Sequence, residues 1–97
     1  MRKAQGKIRQ EKSEILKPLQ LRLEQIEEKI ESLEYRKKEI ETLMTDENFF
    51  KSKDHIELTE EHKTSSLELE SAFSDWSKIS DEIEDVSKRF EEKINQI

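Results

Sequence analysis

The sequence contains no cysteine, a single glycine, Gly6, and a single proline, Pro18. Without cysteine there is no disulfide staple and no thiolate metal site, which fits a reducing cytoplasm. Phosphate-cradling loops of the Walker or dinucleotide type need several glycines close together, so one glycine excludes them. Uninterrupted apolar runs stop at pairs such as Ile15-Leu16, Leu43-Met44 and Phe49-Phe50. No signal peptide or membrane span is therefore expected, and the domain reads as soluble. With 31% hydrophobic and 43% charged residues, the chain is too polar to enclose a broad globular core. Such a balance is typical of paired long helices.

What the chain does have is two heptad seams. Leu16, Leu19, Leu23, Ile26, Ile30, Leu33, Ile40 and Met44 recur at alternating spacings of three and four, interrupted only by Lys37. A second seam runs through Leu58, His62, Ser65, Leu69, Ala72, Trp76, Ile79, Ile83, Val86 and Phe90 and ends near Ile97. In an antiparallel pair, each a position faces a d position of the partner. Aligning Met44 with Leu58 then pairs Ile40 with His62, Lys37 with Ser65, Leu33 with Leu69, Ile26 with Trp76 and Leu16 with Val86. The one polar core residue of the first seam thus meets a polar residue of the second. A slip of one heptad keeps the phase but sets Lys37 against Ala72 and Trp76 on Leu33, so the first register is preferred.

The fold expected is all-α: two long helices forming an antiparallel coiled-coil hairpin, with a short helical turn at the tip. Residues 1–15 read as a basic helical connector and 16–97 as the hairpin, with helix one about 16–44, the tip 45–54 and helix two about 55–96. Each arm of about 40 residues would span about 60 Å at the α-helical rise. Pro18 costs about 3 kcal/mol in a regular helix interior. It reads as a kink, as a fresh start with Pro18 in the first turn, or as a hinge that aims the arm. At the tip, Thr45 is placed to cap a short turn carrying Phe49 and Phe50. Asp54, with Glu57 three residues later, has the spacing of a capping box for the second helix.

A net charge of −6 argues against nonspecific nucleic-acid binding by the whole surface, but charge is unevenly placed. At the open end, Arg2, Lys3, Lys7, Arg9 and Lys12 come near Lys88, Arg89 and Lys93, where they could neutralise phosphates. At the tip, Arg36, Lys38, Lys51 and Lys53 surround Phe49 and Phe50. Rings among cations stack on unpaired bases or dock into a protein groove. The competing reading packs the phenylalanines against Leu43, Ile56 and Leu58, and one ring in and one out satisfies both. His55 and His62 lack a third ligand at a zinc spacing, so no metal is expected. His62 is placed at the core edge opposite Ile40, Lys37 extends its amine to water, and Trp76 is placed in the core with its indole nitrogen at the surface. The outer Glu and Asp residues read as a solvated surface, because a two-helix hairpin has no pocket to make a carboxylate catalytic.

The order of features is that of a known family. Arg9-Gln10-Glu11-Lys12, Lys17-Pro18-Leu19, Ile26-Glu27-Glu28-Lys29-Ile30, Leu43-Met44-Thr45-Asp46-Glu47-Asn48-Phe49-Phe50 and Ala72-Phe73-Ser74-Asp75-Trp76 follow one another. Together they resemble the C-terminal coiled-coil domain of ABC-F (Uup-like) ATP-binding cassette ATPases, over roughly Arg9 to Val86. The resemblance implies a noncatalytic arm that follows an ATPase domain in a larger cytoplasmic protein. It also implies contact with the ribosome and its RNA or with DNA, while ATP and Mg belong to the parent and no cofactor to this fragment. An acidic chain departs from broad duplex binding. The contrasting reading is a structural coiled coil that mediates protein contact or dimerisation, whereas the turn chemistry at 45–54 favours a monomeric hairpin.

Overall fold

In the computed structural model the chain is described from residue 2 to residue 96, with side chains from residue 6 onward. It is an all-α antiparallel hairpin: helix α1 (Arg2–Met44), a 3-10 turn (Phe49–Lys51) and helix α2 (His55–Gln96). The chain forms two compact units, residues 27–74 and residues 1–26 with 75–97. Both are built by the two seams. In the unit of residues 27–74, Ile40, Leu69, Ala72, Ser65 and Phe49 are buried, while Ile30, Leu33, Met44 and Leu58 are half-buried. In the other unit, Leu16, Ile79 and Phe90 are buried, with Leu19, Leu23, Ile26, Ile83, Val86 and Ile94 half-buried. Alternating three- and four-residue spacings keep these side chains on one stripe of each helix, and each stripe is covered by its counterpart.

The preferred register is the one observed in the unit of residues 27–74. His62 Nε2 lies 3.0 Å from Glu41 Oε1, which sets His62 level with the Ile40 turn. A heptad slip would carry His62 past the end of α1 to the level of Glu47. Lys37 is half-buried and lines a groove with Glu34, Glu41, Ser66, Leu69, Glu70 and Phe73. No buried side-chain N or O atom among the described residues lacks a hydrogen-bond partner.

Helix α1 is continuous through Pro18. Pro18 has no amide hydrogen to give the carbonyl of Glu14, so helical geometry is held there without that bond. Its side chain is exposed, which leaves the neighbouring Leu16 and Leu19 on the covered stripe.

Several local expectations are corrected. Trp76 is not a buried core residue but is 38% exposed. Two helices offer no third layer to cover the far side of so large a ring. Thr45 does not cap the tip turn, because its hydroxyl donates back to the Thr42 carbonyl at 2.6 Å. Asn48 holds the N-cap position without a side-chain cap bond. Asp54 precedes α2, and its carbonyl accepts the Leu58 amide at 2.9 Å. Its carboxylate forms no capping box with Glu57. Ser52 performs the closure, with its hydroxyl accepting the Asp54 amide at 3.2 Å and its carbonyl accepting from His55. Ile56, expected under the tip rings, is 66% exposed.

Candidate functional site

Two regions carry the candidate residues, one in each unit, and the tip is the better defined. The turn reverses the chain with no positive φ among the described residues. Short bonds of the i to i+3 kind do this instead: Phe49 amide to Asp46 carbonyl at 3.0 Å, Lys51 amide to Asn48 carbonyl at 3.0 Å, and Ser52 amide to Phe49 carbonyl at 3.1 Å. The Asp46 carboxylate adds an Asx turn, its Oδ1 accepting the Asn48 amide at 2.9 Å. This geometry separates the two phenylalanines. Phe49 is 4% exposed and closes the end of the seam with Leu43 and Leu58. Phe50 is 73% exposed, its ring set edge-on to Phe49 at 5.2 Å and to His55 at 6.1 Å.

Of the tip cations, Lys38, Lys51 and Lys53 are exposed, and among the described residues no carboxylate pairs with them. Arg36 is different. Its Nε donates to Glu61 Oε2 at 2.7 Å and its Nη2 to Glu61 Oε1 at 3.3 Å, so the guanidinium is spent on a forked contact between the helices. The hydrogen bond that Glu61 accepts holds the guanidinium above its ordinary pKa, so it stays charged throughout the working range. The sequence does not by itself pair Glu61 with Arg36 or Glu41 with His62. Their signal is opposite charge on positions that flank the two seams once the register is fixed.

The unit of residues 1–26 and 75–97 holds the open-end cations. The side chains of Arg2 and Lys3 lie outside the described residues. Lys7, Arg9 and Arg89 are exposed and Lys12 is half-buried, and none of the four pairs with a carboxylate among the described residues. Lys88 is paired with Glu84 at 3.1 Å, and that hydrogen bond raises its pKa. Lys93 sets its amine 5.1 Å over the ring of Phe90. Arg89 and Lys93, one turn apart on α2, border a groove of about 450 Å³ that also takes in Ile15, Val86 and Phe90. Ile15 brings α1 to this groove, and Lys12 precedes Ile15 by about one turn along α1. Residues 7–15 and 86–96 carry six cations against four carboxylates. Residues 45–57 at the tip carry four carboxylates against two lysines. The two regions therefore have opposite sign.

The histidines are engaged separately. A carbonyl only accepts, so His55 donates Nδ1–H to the Ser52 carbonyl at 2.8 Å. His62 presents Nε2–H to the Glu41 carboxylate at 3.0 Å. Among the described residues no group of three or more His, Cys, Asp or Glu side chains is arranged to hold a metal ion. No helix of the described residues is long and apolar enough to cross a membrane. Gly6 lies within α1, so the residues present do not form a phosphate-binding loop for ATP.

No curated protein and no solved structure gives a significant match to the chain. The family model of the ABC transporter C-terminal domain does match, over residues 17–81. That span begins just before Pro18, takes in the rest of α1 and the whole tip, and ends within α2. Because it covers well over half of the chain, this helical hairpin belongs to the ABC transporter C-terminal domain family.

Proposed function

We propose that this accessory domain is the noncatalytic C-terminal arm of a soluble, cytoplasmic ABC-F ATPase, and that its open end contacts the phosphates of ribosomal RNA or DNA. The observation that carries this reading is the set of free cations in the unit of residues 1–26 and 75–97. Lys7, Arg9, Lys12 and Arg89 stand among Glu11, Glu14, Glu91 and Glu92, yet none of them is paired with a carboxylate among the described residues. Cations left unpaired in a charge-rich surface release counterions when they meet phosphate, and each such contact steepens the salt dependence of binding. Binding and hydrolysis of ATP with Mg would fall to the nucleotide-binding domains of the parent. Within each unit the seams are consumed between α1 and α2, which supports a monomeric arm over a coiled coil that recruits a second chain.

The test is binding to ribosomes and to short duplex DNA across a salt series, for the wild-type chain and for a K7Q/R9Q/R89Q variant. Binding should weaken as salt rises, and the variant should lose about one unit of log–log slope per phosphate contact removed. Absence of binding at low salt, or an unchanged slope in the variant, overturns the reading.

A further inference from the structure

We propose that the tip, residues 43–58, is a docking knob for a cationic and apolar segment of a protein partner, opposite in charge to the open end. The tip exposes more apolar surface than closing the hairpin requires. Leu43, Phe50 and Ile56 all project to solvent, although the turn is already sealed by Phe49. Beside Phe49 lies a groove of about 250 Å³ lined by Leu43 and Leu58, with Asp46, Asn48 and Ser52 on its border.

The groove has the chemistry of a seat for one long basic side chain. Leu43, Phe49 and Leu58 offer apolar surface to an aliphatic stem. Asp46 stands at the border with Oδ1 committed to the Asn48 amide, and its second oxygen accepts no hydrogen bond from the described residues. A lysine or arginine entering along Leu43 and Leu58 would bring its charged head to that oxygen. Phe50 adds a second anchor. Its ring is held edge-on by Phe49 and His55, at interplanar angles of 81° and 67°, which fixes its orientation while leaving it largely uncovered. An uncovered, oriented ring is a platform for a guanidinium or for an aliphatic side chain.

Charge selects protein over nucleic acid here. Asp46, Glu47, Asp54 and Glu57 outnumber Lys51 and Lys53, so a phosphate backbone is repelled while a basic peptide is attracted. Exposed aliphatic residues such as Leu43 and Ile56 add nothing to base stacking, but they match the apolar residues interspersed in a basic segment.

The experiment measures anisotropy of a short fluorescent peptide that alternates arginine and leucine, titrated with the wild-type chain. The tip variants are F50A and D46N. The D46N substitution retains an oxygen acceptor for the Asn48 amide while removing the charge, and Phe50 is exposed, so helicity by circular dichroism should match wild type in both. Each tip variant should weaken peptide binding about five- to tenfold. E31Q, on the exposed face of α1, and K7Q/R9Q/R89Q should leave it unchanged. Equal weakening by E31Q and D46N would reduce the interaction to bulk charge and overturn the proposal. Unaltered binding in F50A would overturn it too, as would loss in F50A of binding to polyuridine RNA, which would make the tip a base-stacking site.

Discussion

Arg36 and Glu61 join α1 to α2 by two hydrogen bonds from one guanidinium, at 2.7 and 3.3 Å, and Glu39 adds a longer contact to the same group at 3.9 Å. Both partners remain substantially solvated, so the fork contributes orientation more than energy. Changing Arg36 to Lys keeps the charge and abolishes the planar fork. R36K and E61Q should each lower the Tm only slightly, and the deficit should shrink in high salt because exposed charges are screened. Thermal melts of both variants and of the double variant at two salt concentrations check this. A double variant no worse than either single one confirms that the two residues act as a pair.

The two phenylalanines of the tip should differ sharply in their contribution to stability. Phe49 closes the seam against Leu43 and Leu58, so F49A removes a buried ring and leaves a void, costing about 3 kcal/mol. Phe50 is mostly in water, so F50A should cost less than about 0.5 kcal/mol. Urea denaturation of the two variants separates them. Similar losses for both would mean that Phe50 also closes the hairpin.

Those residues also mark how far the sequence could be read. The seams were legible because two helices that need each other must repeat apolar residues at the spacing of a helical stripe, and residues from Leu16 to Phe90 do so. The polar exception Lys37, matched with Ser65, selects the register in the sequence, and the contact of His62 with Glu41 bears it out in the unit of residues 27–74. One ring in and one out at Phe49-Phe50 was open in the sequence and is resolved by the Asx turn of Asp46. The closure of α2 was misassigned because Ser52, Asp54 and Glu57 all have capping chemistry, and only backbone geometry decides which oxygen meets which amide. Trp76 was misplaced because a heptad position guarantees contact along the seam but not cover on the far side. At the candidate sites, residue types give only the positions of the cations along the chain. Which of them are spent, as Arg36 and Lys88 are, depends on partners such as Glu61 and Glu84 that the pattern alone does not select.

Glu41 and His62 supply a pH-dependent link between the helices. The hydrogen bond from His62 is the main cause holding the Glu41 carboxyl below its ordinary value, with further help from the charge of Lys37. A carboxyl lowered in the folded state adds stability above its unfolded pKa and loses it as pH falls through the folded one. The contribution of Glu41 should thus be complete at neutral pH and vanish on acidification, at a pH below that where an unperturbed glutamate protonates. NMR titration of the Glu41 side-chain carbonyl checks the midpoint. In H62A the midpoint should move back up toward the ordinary range, and an unmoved midpoint would remove His62 as the cause.

Pro18 offers the last prediction, because α1 passes through it without a break. A proline inside a helix forfeits the bond to the carbonyl four residues earlier and crowds it, a penalty of about 3 kcal/mol against alanine in a regular interior. Proline also restrains the unfolded chain, which offsets part of that penalty. P18A restores a donor for the Glu14 carbonyl, and because the side chain is exposed it disturbs neither Leu16 nor Leu19. The variant should therefore be more stable by about 1–2 kcal/mol in urea denaturation. Hydrogen exchange should slow at the amides around residue 18 and stay unchanged at the tip. A stabilised variant that matches wild type in the salt-series binding test would make Pro18 a tolerated defect in a continuous helix. A stabilised variant with impaired binding would show that the missing bond is kept because the arm has to bend there.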